Sequence, residues 1–178
     1  MQAPAAARPR HAPHALWRHS LSVYRRPGVE AALLAMQDQW GTDTNVLLYC
    51  CWLAGAGRSL DKRQLRRAMS AVASWQAEVI QPVRRARRAV KAAAAALPPE
   101  WGADLRRRIG RLELDLEYLE QRLLYDLAQQ LPPTRALLPR AAAQASIARY
   151  LVLLALPAET ALSTHVDTLL DACWPPPR

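Results

Sequence analysis

Residues 44–54 read TNVLLYCCWLA, an almost unbroken apolar run in the first half of the chain. On a helix with about 100° between successive residues, these side chains point in nearly every direction, so the helix has to be surrounded by protein. The run is shorter than the roughly 18 apolar residues that a membrane span requires. We therefore predict a buried helix at the centre of the core, and no other segment predicts a membrane span.

Polar residues flank this run and give the helix its beginning. Thr42 or Asp43 can accept hydrogen bonds from the first free backbone amides of the helix. Asp38, Asp43 and Asn45 are therefore interpreted first as a turn and cap network. The alternative interpretation is that these three residues and Trp52 line a polar pocket beside the buried helix.

The rest of the chain also favours helices, since apolar residues recur at intervals of three and four and no strand-like alternation competes. We predict an all-α, single-domain bundle of about seven or eight helices with a long antiparallel helical hairpin. The helical domain is expected at 14–174, between a disordered Ala/Pro/Arg tail at 1–13 and a Pro-rich tail at 175–178. The expected helices are 16–25, 29–40, 44–54, 60–73, 74–97, 99–130, 139–156 and 159–173.

The hairpin is predicted from two long helices on either side of Pro98 and Pro99. The first helix has a single apolar stripe only if it continues through Pro82, so we expect a kink between Glu78 and Pro82. The second helix carries seven apolar residues within an arc of roughly 80°, which is typical of a face buried against other helices. The first stripe comprises Trp75, Val79, Ala86, Val90, Ala93 and Leu97. The second comprises Leu105, Ile109, Leu112, Leu116, Leu119, Leu123 and Leu127.

Charge is distributed unevenly along the chain. Lys and Arg number 24 and Asp and Glu 15, a formal net charge of +9. Residues 1–91 hold 15 basic and 5 acidic side chains, and residues 92–178 hold 9 and 10, so the two parts carry +10 and −1. This asymmetry indicates either a polyanionic partner, such as nucleic acid or an anionic membrane surface, or pairing of basic and acidic elements inside the protein.

The segment 82–91 concentrates this positive charge on one helix face, within an arc of roughly 160°. We interpret this basic face as the surface that binds an acidic protein partner, with nonspecific nucleic-acid binding as an alternative that salt would weaken. A further alternative is that the face is solvated or paired internally with Glu113, Glu117 and Glu120 of the next long helix. The basic face consists of Arg84, Arg85, Arg87, Arg88 and Lys91.

The chain offers little that predicts catalysis. Cys50, Cys51 and Cys173 are an odd number without Cys-x-x-Cys spacing, which predicts reduced thiols and a cytoplasmic protein. Three glutamates share a face of one helix, but no histidine accompanies them, so we predict no metal site. We expect a protein that binds rather than catalyses, with no cofactor. A bundle that binds a small molecule or lipid in the polar pocket is the alternative, and no pattern predicts an oligomeric state.

The spacing of several motifs resembles a family of uncharacterised proteobacterial proteins that is catalogued as a conserved domain of unknown function. The resemblance covers roughly residues 15–130 and implies a small bacterial cytoplasmic helical protein. It implies no activity. The motifs are Leu16-Trp17-Arg18, Tyr24-x-x-Pro27-Gly28-Val29, Leu34-x-x-Gln37-Asp38-x-x-Gly41-x-Asp43-x-Asn45-Val46-Leu47-Leu48-Tyr49, Trp52-Leu53, and Trp75-x-x-Glu78-Val79-Ile80-x-Pro82-Val83-Arg84-x-x-Arg87-Arg88-x-x-Lys91.

Overall fold

The computed structural model describes residues 12–93, 98–131 and 138–175, and within these ranges it is helical with no strand. The predicted all-α class is confirmed. Apart from residues 12, 13 and 175, the two predicted tails lie outside the described residues, as does Leu97. The helices are α1 (Ala15–Tyr24), α2 (Val29–Trp40), α3 (Thr44–Gly55), α4 (Lys62–Trp75), α5 (Gln81–Ala93), α6 (Pro99–Ala128), α7 (Pro139–Leu153) and α8 (Thr160–Cys173).

The apolar run at 44–54 forms α3, which is the centre of the bundle. It packs against α1, α2, α6 and α7, while α8 covers α2 and α7. Because α3 is enclosed on all sides, its apolar side chains are almost all buried, and both of its cysteines are fully buried. The three cysteines of the protein are free thiols.

Asp43 caps the start of α3, as the turn and cap interpretation predicts. Its Oδ1 accepts hydrogen bonds from the backbone N–H of Asn45 at 2.8 Å and of Val46 at 3.4 Å. The backbone N–H of Asp43 in turn donates to the hydroxyl of Tyr150 on α7 at 2.8 Å. These contacts satisfy free amides of the helix and tie its first turn to α7.

A π-helical turn at Gln76–Ile80 joins α4 to α5, so the two form one continuous helix. The backbone N–H of Gln81 donates to the carbonyl of Gln76, five residues earlier. Pro82 has no N–H to donate and its ring crowds the carbonyl four residues before it, which lies inside the π turn. The expected interruption near Pro82 therefore takes the form of a wider turn.

No helix in the part of the chain that the structure describes combines the length and apolar character needed to cross a membrane.

Candidate functional site

The hairpin of α5 and α6 is held together by charged side chains. Arg84 is 4% exposed; its Nε donates to Glu113 Oε1 at 3.2 Å and its Nη2 to Glu117 Oε1 at 2.5 Å. Arg87 Nε donates to Glu113 Oε2 at 2.5 Å. Burial lowers the pKa of Arg84, but the carboxylates of Glu117 and Glu113 outweigh that effect and raise it overall. Arg84 therefore belongs to the interior of the hairpin.

The leucine stripe of α6 does not face the interior, so the expectation drawn from its periodicity is wrong. Leu105, Leu112, Leu119 and Leu123 are 38%, 48%, 41% and 43% exposed, and only Leu127 at the end of the stripe is buried. The reason is the adjacent polar edge of α6, whose carboxylates find partners inside the bundle. Turning that edge inward leaves the leucines on the surface.

Glu120 is the deepest of these carboxyl groups, with no exposed surface. Asn45 Nδ2 donates to Glu120 Oε2 at 2.6 Å, Gln121 Nε2 donates to Asn45 Oδ1 at 2.8 Å, and Ser20 Oγ donates to Gln121 Oε1 at 2.9 Å. Burial raises the pKa of Glu120 to about 10, and the carboxylate of Asp43 beside it contributes to the rise. Burial thus favours the protonated, neutral form of this side chain within the hydrogen-bonded network.

The structure divides the predicted basic face into an inner and an outer part. Arg84 and Arg87 pair with glutamates of α6, as the alternative of internal pairing predicts. Arg88 pairs instead with Asp38 of α2, at 2.8 Å between Nη2 and Oδ1. Arg85 and Lys91 are exposed and form no ion pair within the described residues.

Arg88 and Lys91 face a groove of about 690 Å³ between α2, α5 and α6, whereas Arg85, predicted as part of the binding face, lies outside it. Five basic side chains line it. Arg87, Arg88 and Arg107 are paired with carboxylates, so the positive charge of the groove comes mainly from Lys91 and Arg106. Arg106 and Arg107 were missed in the sequence because they lie on the next helix. An antiparallel hairpin places the start of α6 beside the end of α5. The register of the hairpin would therefore predict that these two arginines lie near the basic residues of α5. The basic residues are Arg87, Arg88, Lys91, Arg106 and Arg107.

A smaller pocket of about 320 Å³ adjoins the groove and shares part of its wall with it. Arg84 and Arg87 line this pocket together with Glu30, Glu113 and Glu117. Its two cations are therefore matched by carboxylates, whereas Lys91 and Arg106 in the groove have no ion pair within the described residues. The two together form one cleft whose unpaired positive charge lies at its outer end.

The four residues of the alternative polar pocket lie in different surroundings. Asp38 lines the basic groove, whereas Asp43 lines a separate, largely apolar cleft of about 400 Å³ against α4 and α7. Asn45 is buried in the network around Glu120. The ring of Trp52 packs beside those of Tyr49 and Tyr125. A ligand pocket built from all four is therefore not the arrangement that the fold produces.

One cysteine is distinguished chemically from the others. A hydrogen bond with Cys51 lowers the pKa of Cys173 to about 6 against the effect of burial, and a hydrogen bond with His19 adds to the lowering. Burial raises the pKa of Cys50 to about 12.

We expect iodoacetamide at about pH 7 to alkylate Cys173 in the folded protein, and Cys50 only after unfolding. Peptide mass spectrometry over time measures this, and equal rates at both cysteines would contradict it.

Metal binding has no support in the arrangement of the side chains. Within residues 12–93, 98–131 and 138–175, no group of three or more His, Cys, Asp and Glu side chains is placed to hold a metal ion. The chemistry that the cleft can provide is recognition of negative charge by guanidinium and ammonium groups.

A family described as "Protein of unknown function (DUF2390)" matches residues 15–124, well over half of the chain. The matched region contains α1 to α5 and most of α6, and therefore every side chain of the basic groove. No curated protein and no solved structure is significantly similar to the chain.

Proposed function

The chain belongs to the DUF2390 family of proteins of unknown function, and we propose that it is a non-catalytic binding or adaptor protein that takes an acidic segment of a partner protein into the basic groove. The observation that carries this proposal is the lining of the groove. Five cations from two helices converge there, and Lys91 and Arg106 among them have no carboxylate partner within the described residues. Carboxylate groups are natural partners of such a surface, because guanidinium groups donate paired hydrogen bonds to them.

The cost of holding these cations together supports a binding role. Like charges that converge on one groove repel each other. Carboxylates offset three of the five charges, those of Arg87, Arg88 and Arg107. Lys91 and Arg106 form no ion pair within the described residues. An acidic ligand would remove this repulsion, so binding would relieve electrostatic strain as well as add contacts.

The distribution of carboxylates favours a short acidic segment over a nucleic acid. The inner pocket beside the groove contains Glu30, Glu113 and Glu117. A phosphate backbone that ran through the whole cleft would meet these carboxylates, whereas a few acidic side chains can stay at the outer end. The basic region is therefore local rather than the long track that a polyphosphate requires.

We expect the Lys91→Gln, Arg106→Gln double variant to bind an acidic peptide about tenfold more weakly at low salt, a loss of about 1.4 kcal/mol. Neither residue forms an ion pair in the described residues, so the melting temperature should not change. The measurement is fluorescence anisotropy of a labelled peptide of about ten glutamates, with a single-stranded oligothymidine of similar charge in parallel.

The matched control is Arg63→Gln, Arg85→Gln, which removes the same charge from exposed positions outside the groove. It should weaken peptide binding much less than the groove variant. Equal losses in both variants would assign the binding to net charge alone. Tighter binding of the oligothymidine, with the same dependence on Lys91 and Arg106, would replace the acidic protein with a nucleic acid.

A further inference from the structure

The exposed leucine stripe of α6 has the spacing of a coiled-coil seam. Its residues at 105, 109, 112, 116, 119 and 123 are separated alternately by four and three positions. This heptad spacing keeps a stripe in register with a second helix over a distance of about 27 Å. Ile109 and Leu116 are half-buried, and four of the leucines are exposed.

We infer that this stripe, called here the α6 seam, is the surface through which two copies of the chain associate, with their α6 helices antiparallel. The α6 seam lies on a different side of α6 from the basic groove, which is lined by Ala103, Arg106, Arg107 and Gly110. Dimer formation therefore leaves the groove open. The inference does not depend on the proposed function.

Charged residues beside the α6 seam favour a second copy of the chain as the partner, with its α6 antiparallel. Arg108, Asp115 and Arg122 recur every seven residues, each directly before a seam residue. In an antiparallel pair of helices this charged row of one copy lies beside the same row of the other copy. Arg108 of one copy then lies opposite Asp115 of the other, and two-fold symmetry repeats the pair.

In this register Leu105 and Ile109 pack on Leu116 and Leu112 of the second copy, and Leu119 and Leu123 extend beyond the overlap. Trp101, which is 65% exposed, lies opposite Arg122 of the second copy, and Arg122 also pairs with Asp126 of its own chain. Arg108 and Asp115 form no ion pair within the described residues, so both are available.

A parallel pair is disfavoured by the burial of the other edge. In a parallel coiled coil this charged row would face the residues directly after Leu112 and Leu119 in the second helix. Those residues are Glu113 and Glu120, which are buried in their own bundle. The antiparallel arrangement is therefore the one in which each exposed charge has an exposed partner.

Because the α6 seam is short, we expect each copy to bury less than the roughly 800 Å² of a standard stable interface. The dissociation constant of the dimer should therefore lie in the micromolar range. Sedimentation velocity of the full chain from about 1 to 200 μM should show a monomer–dimer equilibrium. Leu105→Glu and Leu112→Glu should each leave the protein monomeric over this range, because each places two carboxylates in an apolar contact.

Two controls make the test decisive. Val152→Glu introduces the same charge at another exposed apolar helical position, on α7, and should dimerise like the wild type. Arg108→Asp should raise the dissociation constant about tenfold, and adding Asp115→Arg should restore it, since the pair is only reversed. Circular dichroism checks that each variant is folded.

A wild type that stays monomeric at 200 μM would overturn the inference, as would a dimer that survives Leu105→Glu and Leu112→Glu in folded protein. A charge reversal that the second substitution fails to restore would overturn the antiparallel register.

Discussion

Replacing Arg84 with methionine should lower the melting temperature by on the order of 10 °C, because Glu117 loses its cation and Glu113 keeps only Arg87. Breaking a buried ion pair from one side costs about 3–5 kcal/mol, and each kcal/mol moves the melting temperature of a domain of this size by about 2–4 °C. Arg84 is 4% exposed and serves both Glu113 and Glu117. Methionine keeps much of the side-chain volume, so the loss reports mainly on charge.

The matched control is Arg85→Met, at the next position of the same helix. Arg85 is exposed and unpaired within the described residues, so its loss should change stability by less than about 0.5 kcal/mol. Adding Glu117→Gln to Arg84→Met should recover part of the loss, because one stranded carboxylate is then removed. Differential scanning calorimetry measures all three, and equal small shifts for Arg84→Met and Arg85→Met would contradict the assignment.

The stability of the wild type should fall as the pH rises, and Glu120→Gln should remove much of this dependence. The pKa of Glu120 is raised from 4.5 to about 10 in the folded protein. Between these values the folded state holds a proton that the unfolded chain releases, so the contribution is complete below about pH 4.5 and is lost as the pH rises through about 10. One such group changes the free energy of unfolding by at most about 1.4 kcal/mol per pH unit.

Glutamine resembles the protonated acid and can still accept from Asn45 Nδ2. The difference in free energy of unfolding between the wild type and Glu120→Gln, taken from urea titrations at several pH values, isolates the proton of Glu120. The free energy of the wild type should fall relative to that of the variant from about pH 6 to 9. Glu78→Gln, at an exposed position, should follow the wild type. Parallel curves for the wild type and Glu120→Gln would show that Glu120 is ionised in the folded state.

Local chemistry made part of this structure predictable. The apolar run at 44–54 predicts a central buried helix because such a surface tolerates no water on any side. Asp43 is predictable as a cap because its short carboxylate can accept from free amides two and three residues ahead. Both conclusions depend only on neighbouring residues, and the structure confirms both.

The orientation of the hairpin was not predictable from periodicity. Helix α6 has two adjacent faces, one of leucines and one of glutamates, and apolar patterning selects the leucines. The structure buries the glutamates because Arg84 and Asn45, on two other helices, meet them there. The groove depends in the same way on the register of α5 against α6, which brings Arg106 and Arg107 beside Lys91. The buried face of α6 and the lining of the groove are thus determined by contacts between segments that are distant in the sequence.

The π turn between α4 and α5 shifts the pattern of buried residues along this continuous helix by one position. The buried residues of α4 are Leu65, Ala68 and Val72, and their spacing, continued along a regular helix, leads to positions 76, 79, 83, 86 and 90. Beyond the π turn the buried residues are instead Ile80 and Arg84, one position later. A single extra residue advances the phase of a helix by about 100°. The π turn thus places Arg84 on the inner surface of the helix and leaves Ala86, which the apolar stripe would bury, exposed.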